Sequence, residues 1–362
     1  MKKIKKLSLI AKSAGILITT LVLAFGGFLV FLSIVEYRPH PVEQVFPAGA
    51  GFRIPTENVP LTIVSWNIGY GSLDASVDFF MDGGKMTRPE TESNVEANME
   101  GVRGFIERVD ADIVLLQEVD IHSRRSYHMD QAGFLAETWL GTTSFALNFQ
   151  APLVPIPFPE PLGRVESGLL TMSVFIAKES IRMSLPSPFK WPMRLANLKR
   201  CILVDRLPVQ GSDKELVIVN LHLEAYSSEA GRDAQMRVLL DFLQAEYAKG
   251  AYCIAGGNFN QNFPGIDENL FRLKDVRHFT PGSLSQDMLA EGWQFAADVE
   301  TPSSRLLNEP YSGDWEATQL YVIDGFVVSP NVEILSVQTA NYEFRYSDHN
   351  PVILRALLRG AE

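Results

Sequence analysis

Cysteine is nearly absent: the 362 residues contain only Cys201 and Cys253. That scarcity excludes a disulfide framework and a cysteine-rich zinc site. A single disulfide remains arithmetically possible in an exported domain. Both cysteines, however, fall inside apolar strand-like runs and read as buried thiols. Histidine is also scarce, at six, and no H-E-x-x-H pattern is present. A G-x-S-x-G elbow, a Walker-type phosphate loop and a dinucleotide fingerprint are missing too. These absences set aside the commonest zinc proteases, serine hydrolases, P-loop hydrolases and Rossmann dehydrogenases. Positive charge is in short supply. Beyond residue 38 there are 26 basic against 42 acidic side chains, a net −16. Such a body repels a polyanion unless its basic groups cluster or metal ions intervene.

What is present is an ordinary globular composition, 46% apolar and 21% charged, long enough for a sizeable core. The first 36 residues depart from it. Lys2, Lys3, Lys5, Lys6 and Lys12 precede an uncharged run from Ser13 to Val35. As a helix that run is about 35 Å long, enough to cross a bilayer with some tilt. A secretory signal peptide also begins basic and turns apolar, but its apolar core is shorter, and no small-x-small cleavage site follows Val35. A buried core helix is the plain alternative. The expected division is a cytoplasmic basic segment (1–12), a transmembrane anchor (13–36), an irregular proline-containing tether (37–60) and one domain (61–362). The lysine cluster predicts a single-pass cell-membrane protein with its N-terminus cytoplasmic and its domain on the other side.

Apolar, β-branched runs recur at 61–68, 111–119, 168–177, 200–209, 215–224, 251–260, 321–329 and 351–358. Consecutive apolar residues suit strands covered on both faces. A capping-box pattern at Ser93 and Glu96 opens a helix whose face is Val95, Met99, Val102, Ile106 and Val109. A second helix is expected over about 229–249, with Met236, Leu240, Leu243 and Tyr247 inward and Gly250 as its stop. The pattern predicts an α+β fold, two packed sheets with helices outside. Two proline-rich apolar loops, 151–163 and 186–193, read as rigid packing or as an apolar lip for a membrane or an acyl chain.

The strand-like runs finish in polar residues: Asn67, Glu118, His222 and Glu224, Asn258 and Asn260, and Asp324, with Asp348 and His349 just before the last run. Singly, an Asn caps a turn and a His is most often structural. Together they crowd one rim, where buried polar groups need partners. Carboxylates beside carboxamide oxygens suit Mg²⁺, Mn²⁺ or Ca²⁺ better than zinc. A hard cation beside histidines suits a phosphate ester.

In order, SWN (65–67), QE (117–118), NLHLEA (220–225), GGNFN (256–260), ID (323–324) and SDHNP (347–351) resemble the endonuclease/exonuclease/phosphatase superfamily. The resemblance runs from about 61 to 358 and implies a four-layered α/β/β/α sandwich of two mixed sheets. It implies Glu118 as principal metal ligand, with Asn67 and Asp348 beside the metal. It places His349 on the scissile phosphate with Asp324 orienting its ring, His222 on another phosphate oxygen, and Asn260 on the phosphate or the attacking water. Relatives usually read G-D-x-N where this chain has Gly257-Asn258-Phe259-Asn260. An amide orients water but is a poor proton acceptor. Either the site is impaired, by evolution or by a deliberate change, or His349 serves as base, or water at the cation needs little help.

The anchor, the acidic body and the lack of a basic stripe favour a lipid or small phosphoester as substrate. NLHLEA is also somewhat similar to the corresponding stretch of bacterial sphingomyelinases. Arg124 and Arg125 stand as phosphate binders or equally as solvated or paired loop charges, and Tyr226 is a further substrate-binding candidate. An exported nuclease is the rival enzyme. A surface protein that binds metal or phospholipid through a disabled site is the rival of another class.

Overall fold

The computed structural model describes the backbone of residues 2–360 and the side chains of residues 10–360. Lys2, Lys3, Lys5 and Lys6 therefore have their side chains outside the described residues. Among the described residues, four α-helices, α1 (Lys2–Ile34), α2 (Glu92–Val109), α3 (Gln131–Ala136) and α4 (Glu229–Ala248), accompany two seven-stranded sheets.

In one sheet the order is Val42–Val45, Glu179–Ser184, Cys201–Pro208, Glu215–His222, Tyr252–Asn258, Asp324–Val328 and Gln294–Ala296. In the other it is Val332–Thr339, Val352–Leu358, Leu61–Asn67, Ile113–Asp120, Gly163–Ser173, Thr142–Val154 and Ala48–Gly49. Each sheet has a single parallel pair. Leu61–Asn67 lies parallel to Ile113–Asp120, and Glu215–His222 to Tyr252–Asn258. A parallel pair needs a crossover, and α2 and α4 are those crossovers.

Alternation along the strands makes the layers. Ile63, Ile113, Leu115, Ile218, Ile254 and Phe326 fill the space between the sheets. Val64, Trp66, Val114 and Leu116 face α2 through Met99, Val102 and Phe105. Val217, Val219 and Leu221 face α4 through Met236, Leu239 and Leu243. The result is the expected four-layered sandwich. Cys201 and Cys253 are free and buried, their thiols pushed up by burial to about 11 and about 12.

Three local expectations change. The capping box at Ser93 does not form. The α2 N-cap is Thr91, two residues earlier, and its hydroxyl turns to the Ser93 and Asn94 side chains. The tether is no loose linker. Val42–Val45 adds an edge strand to one sheet and Ala48–Gly49 an edge strand to the other. Such short edge strands are held by backbone hydrogen bonds and leave no apolar period to read. Residues 151–154 of the first proline loop belong to the long strand Thr142–Val154, whose alternating half-polar sequence hid it.

Candidate active site

A parallel pair brings the C-terminal ends of two strands to the same edge. Here those ends are Asn67 and Gln117 in one sheet, and His222 and Asn258 in the other, each pair on one rung. Antiparallel neighbours enter at that edge, so Asp324 shares the rung of Asn258, and the turn before Val352 delivers Asp348 and His349. The GGN sequence has a steric reason: a Cβ at Gly257 would lie 1.9 Å from the Leu221 carbonyl oxygen. At Gly69, with φ +50°, a Cβ would lie 2.8 Å from Asp348 Oδ1.

Glu118 reaches the site through a break in the ladder. Pairing with Gly163–Ser173 shifts register between Leu116 and Val119, and Glu118 takes φ 55°. This bulge turns its side chain out of strict alternation toward the rim. Behind it, Gln117 Nε2 donates to Asn220 Oδ1 across the sheets at 2.9 Å. Asn220 Nδ2 in turn donates to the carbonyls of Leu116 and Leu170 at 3.1 and 3.0 Å. These amides clasp the two sheets directly under the site. Both sit in the quoted motifs, yet sequence reasoning gave them no role.

Glu118, His222, Asn258, Asn260, Asp348 and His349 line one cavity of about 510 Å³. Asn67 and Asp324 stand behind it. Asn67 Nδ2 donates to Glu118 Oε1 at 3.1 Å, while its Oδ1 accepts from Gly69 N at 3.0 Å. Asp324 Oδ2 lies 2.7 Å from His349 Nδ1 and accepts from Ser303 Oγ at 2.8 Å. Trp66 Nε1 fixes the His349 carbonyl at 2.8 Å. Burial opposes charge on the His349 ring, but Asp324 and Asp348 outweigh it and raise the ring to about 9. Its Nε2 points past Ser304 Oγ, at 3.3 Å, to Asp348 Oδ2 at 3.8 Å.

His222 behaves in the opposite way. Burial first, then Arg200, His349 and Arg125, hold it well below the usual histidine range. Its approach to Glu118, 3.9 Å, is therefore a contact of a neutral ring and not an ion pair. Its Nδ1 is buried without a partner. Asn258 Oδ1 accepts from Asn260 N at 2.8 Å, and Asn260 Nδ2 donates to the Leu223 carbonyl at 2.8 Å. Asn260 holds φ 54°, a left-handed conformation that Asn tolerates.

The donor chemistry suits a hard cation. Burial, and after His349 the Glu118 carboxylate, act on Asp348, and the net effect raises it to about 6. Two carboxylates facing one buried space disfavour each other's charge, and a divalent ion relieves that. Among the described residues no group of three or more His, Cys, Asp or Glu side chains is placed to hold a metal. Glu118 and Asp348 are therefore two carboxylates on one cavity and not an all-protein cage.

The remaining candidates separate. Arg124 does not line the cavity; its guanidinium donates to the Pro161 carbonyl and braces the proline loop. Arg125 does line it, but donates to both oxygens of buried Asp120 at 3.1 and 3.0 Å and lies 3.6 Å over the Tyr70 ring. For these two arginines the loop-pairing alternative describes the geometry. Tyr226 lines the cavity and donates to Asp82 Oδ1 at 3.1 Å. Asp82, raised by burial to about 6, and Arg305 are lining residues that sequence reasoning missed. Arg305 is buried, and its guanidinium donates to the carbonyls of Asp74 and Val77 at 2.8 and 3.0 Å. Its Nε has no partner. Asp82 follows only the short run 79–81, which enters a 3-10 turn and no strand, and Arg305 follows two serines, so neither ends one of the long strand-like runs.

A family model described as the Endonuclease/Exonuclease/phosphatase family matches residues 64–349. No curated protein matches the sequence. Among solved structures, an endonuclease/exonuclease/phosphatase from Beutenbergia cavernae is similar at 18% identity and TM-score 0.56, over 83% of this chain and 72% of that one. A functionally unknown conserved protein from Enterococcus faecalis is similar at 18% identity and TM-score 0.52, over 83% of this chain and 100% of that one. An endonuclease/exonuclease/phosphatase from Bacteroides vulgatus is similar at 16% identity and TM-score 0.52, over 83% and 100% of the two chains. At these identities the likeness is one of fold.

Proposed function

Because the chain belongs to the endonuclease/exonuclease/phosphatase family, whose members are generally phosphoester hydrolases, we propose that it is a membrane-anchored, divalent-metal-dependent phosphoesterase. Its substrate on this reading is a lipid or small-molecule phosphoester. The observation that carries the proposal is the His349–Asp324 pair, a 2.7 Å contact that leaves the far ring nitrogen facing a cavity also lined by Glu118 and Asp348. Helix α1 supports the anchor, since Ile10–Ile34 is long and apolar enough to span a bilayer.

Glu118 and Asp348, with Asn67 beside them, are the residues that would hold the cation. A bound Mg²⁺, Mn²⁺ or Ca²⁺ supplies positive charge to phosphate oxygens and acidifies water. The chain's own groups do the rest. His349, its Nδ1 proton fixed by Asp324, donates through Nε2 as negative charge builds on the phosphate. Neutral His222 donates through Nε2 to a second oxygen. Asn258 and Asn260 orient the attacking water. Water adds to phosphorus in line, the ester P–O bond breaks, and the leaving alkoxide takes the His349 Nε2 proton. The proton released by the water leaves with the phosphate, and solvent returns a proton to the ring. With Asp324 bonded to its Nδ1, His349 acts on this reading as the donor, and Asn258 leaves no carboxylate at position 258 to take the water's proton.

Hydrolysis of bis-p-nitrophenyl phosphate by the full chain in detergent, with Mg²⁺ and with EDTA, tests this. The expected outcome is turnover with Mg²⁺ that EDTA abolishes, and a Mg²⁺-induced rise in Tm that Glu118→Gln removes. EDTA-insensitive turnover overturns the metal assignment. A Tm rise without turnover on any phosphoester points to the disabled binding protein. Cleavage of plasmid DNA with steep loss in salt points to the nuclease. The net −16 of residues 39–362 weighs against that last outcome.

A further inference from the structure

Resting on the phosphoesterase reading, we infer that the substrate is a membrane amphiphile with a phosphate ester head and a long alkyl tail, and that α1 is one wall of the tail site. The cavity that holds the histidines does not end at the polar floor. It continues to Phe25, Phe28, Leu29 and Leu32 of α1. Steps of three, one and three residues put these four on one helix face. Facing them are Phe80 and Met81 from one loop, Ile156 from the first proline loop, and Phe189 and Met193 from the second.

The helix is fastened in this position. Trp191 Nε1 donates to Ser33 Oγ at 3.1 Å. Glu36 sits at the helix exit with its side chain 3% exposed, paired with Arg194 at 3.1 Å and Lys199 at 3.0 Å. Leu32 is 4% exposed. A helix that only tethered the domain would need none of these contacts. Phe25 lies nine residues before Ile34, about 14 Å along the axis, so the wall reaches into the hydrocarbon layer. A molecule in the leaflet can thus keep its tail among apolar groups while its head meets the floor. The rim agrees: Phe158 is 93%, Trp191 54% and Met193 63% exposed, a cost in water and a fit at a membrane interface.

Charge narrows the head group. No lysine lines the cavity among the described residues. Arg125 is committed to Asp120 and Arg200 to Glu224. Arg305 donates through Nη2 to the carbonyls of Asp74 and Val77, and only its Nε is without a partner. A polyphosphorylated or polynucleotide substrate would find few free cations here, whereas one phosphate on an alkyl chain needs only the floor.

The test is a series of n-alkyl p-nitrophenyl phosphodiesters, methyl to dodecyl, hydrolysed with Mg²⁺ by the full chain in one detergent. Each buried methylene is worth about fourfold in affinity. For the wild type, kcat/KM is expected to rise by more than tenfold along the series. Phe28→Ser with Leu29→Ser is expected to lose at least tenfold more on the dodecyl than on the methyl ester, and Met193→Ser to shift the same way. Val30→Ser, on the outward face of the same turn, is expected to follow the wild type at every length, which cancels partition into detergent. If the methyl ester is cleaved but the variants lose equally at all lengths, the tail site is refuted and the phosphoesterase reading stands. If no ester is cleaved, the phosphoesterase reading falls, and calorimetric binding of dodecyl against methyl phosphonate decides the tail site. Tighter dodecyl binding that the Phe28/Leu29 double variant abolishes supports it, and equal binding refutes it.

Discussion

The two ends of the cleft are built on opposite plans. At the floor, groups from both sheets hold one another by directional bonds: Asp324 holds His349, Ser303 holds Asp324, Asn67 holds Glu118, and Gln117 holds Asn220. At the mouth, a helix face and two proline loops present apolar side chains to the cavity. The bonds that fasten the helix, Trp191 to Ser33 and Glu36 to Arg194 and Lys199, join side chains outside that lining. The floor fixes atoms to fractions of an ångström, which a reacting phosphate requires. The mouth fixes only polarity and volume, because apolar burial is non-directional. Position-specific chemistry and tolerant tail recognition can thus share one cavity.

The sharpest way to break this contrast is to remove a floor group without effect. His349→Ala is expected to lower kcat on bis-p-nitrophenyl phosphate by about 10²–10⁴-fold, with circular dichroism unchanged. Activity above a tenth of wild type would show that the floor is not where chemistry occurs.

A buried carboxylate outside the cleft sharpens the comparison, because nothing there uses its charge. Asp205, bonded to Ser144 and Ser180, is raised by burial to about 6 from 3.8. Below about pH 4 it is protonated folded or unfolded, and its neutral form suits the core. As pH rises the unfolded chain ionises freely while the folded state holds the proton, so stability is lost up to about pH 6. The loss from this group is about 3 kcal/mol. Urea unfolding from pH 4 to 7 is expected to show that loss in the wild type and a flatter profile in Asp205→Asn. Parallel profiles would place the pH dependence elsewhere.

Gln117→Leu leaves the Asn220 amide without its donor and is expected to cost about 1–3 kcal/mol in the same unfolding measurement. A neutral result would mean the sheets are clasped by packing alone. The smallest effect is expected at position 258. Asn258→Asp restores a proton acceptor on the rung between His222 and Asp324, and kcat is expected to rise about tenfold. No rise would mean that Asn258 is not a crippled aspartate.

Much of the fold was readable because buried strands leave continuous apolar runs. Each of the eight runs holds a strand, though 168–177 leaves its strand at Ser173 and 321–329 is divided between two. The Met99–Val102 and Met236–Leu243 faces lie against the sheets. Thr142–Val154 was not readable, since its outward positions are polar and its end is proline-rich. Strand Val42–Val45 was hidden because it is four residues long and its alternation of half-buried and exposed positions makes no apolar run. In the site, residues that end the long strand-like runs were found. Asp82 and Arg305 were not, because loops placed in space by long-range contacts leave no local period. The pairing of Arg125 with Asp120 lies five residues apart, yet charge alone could not choose between that partner and a phosphate.

By itself the sequence determined which stretches are buried, which helix can cross a membrane, and which polar residues end the strands, since each follows from the local alternation of apolar and polar side chains. Tertiary structure alone decided that those ends meet at one floor, that two arginines are already engaged, and that the N-terminal helix turns one apolar face into the same cavity. Those outcomes depend on contacts between segments far apart in the chain, and no local pattern encodes the distance between them.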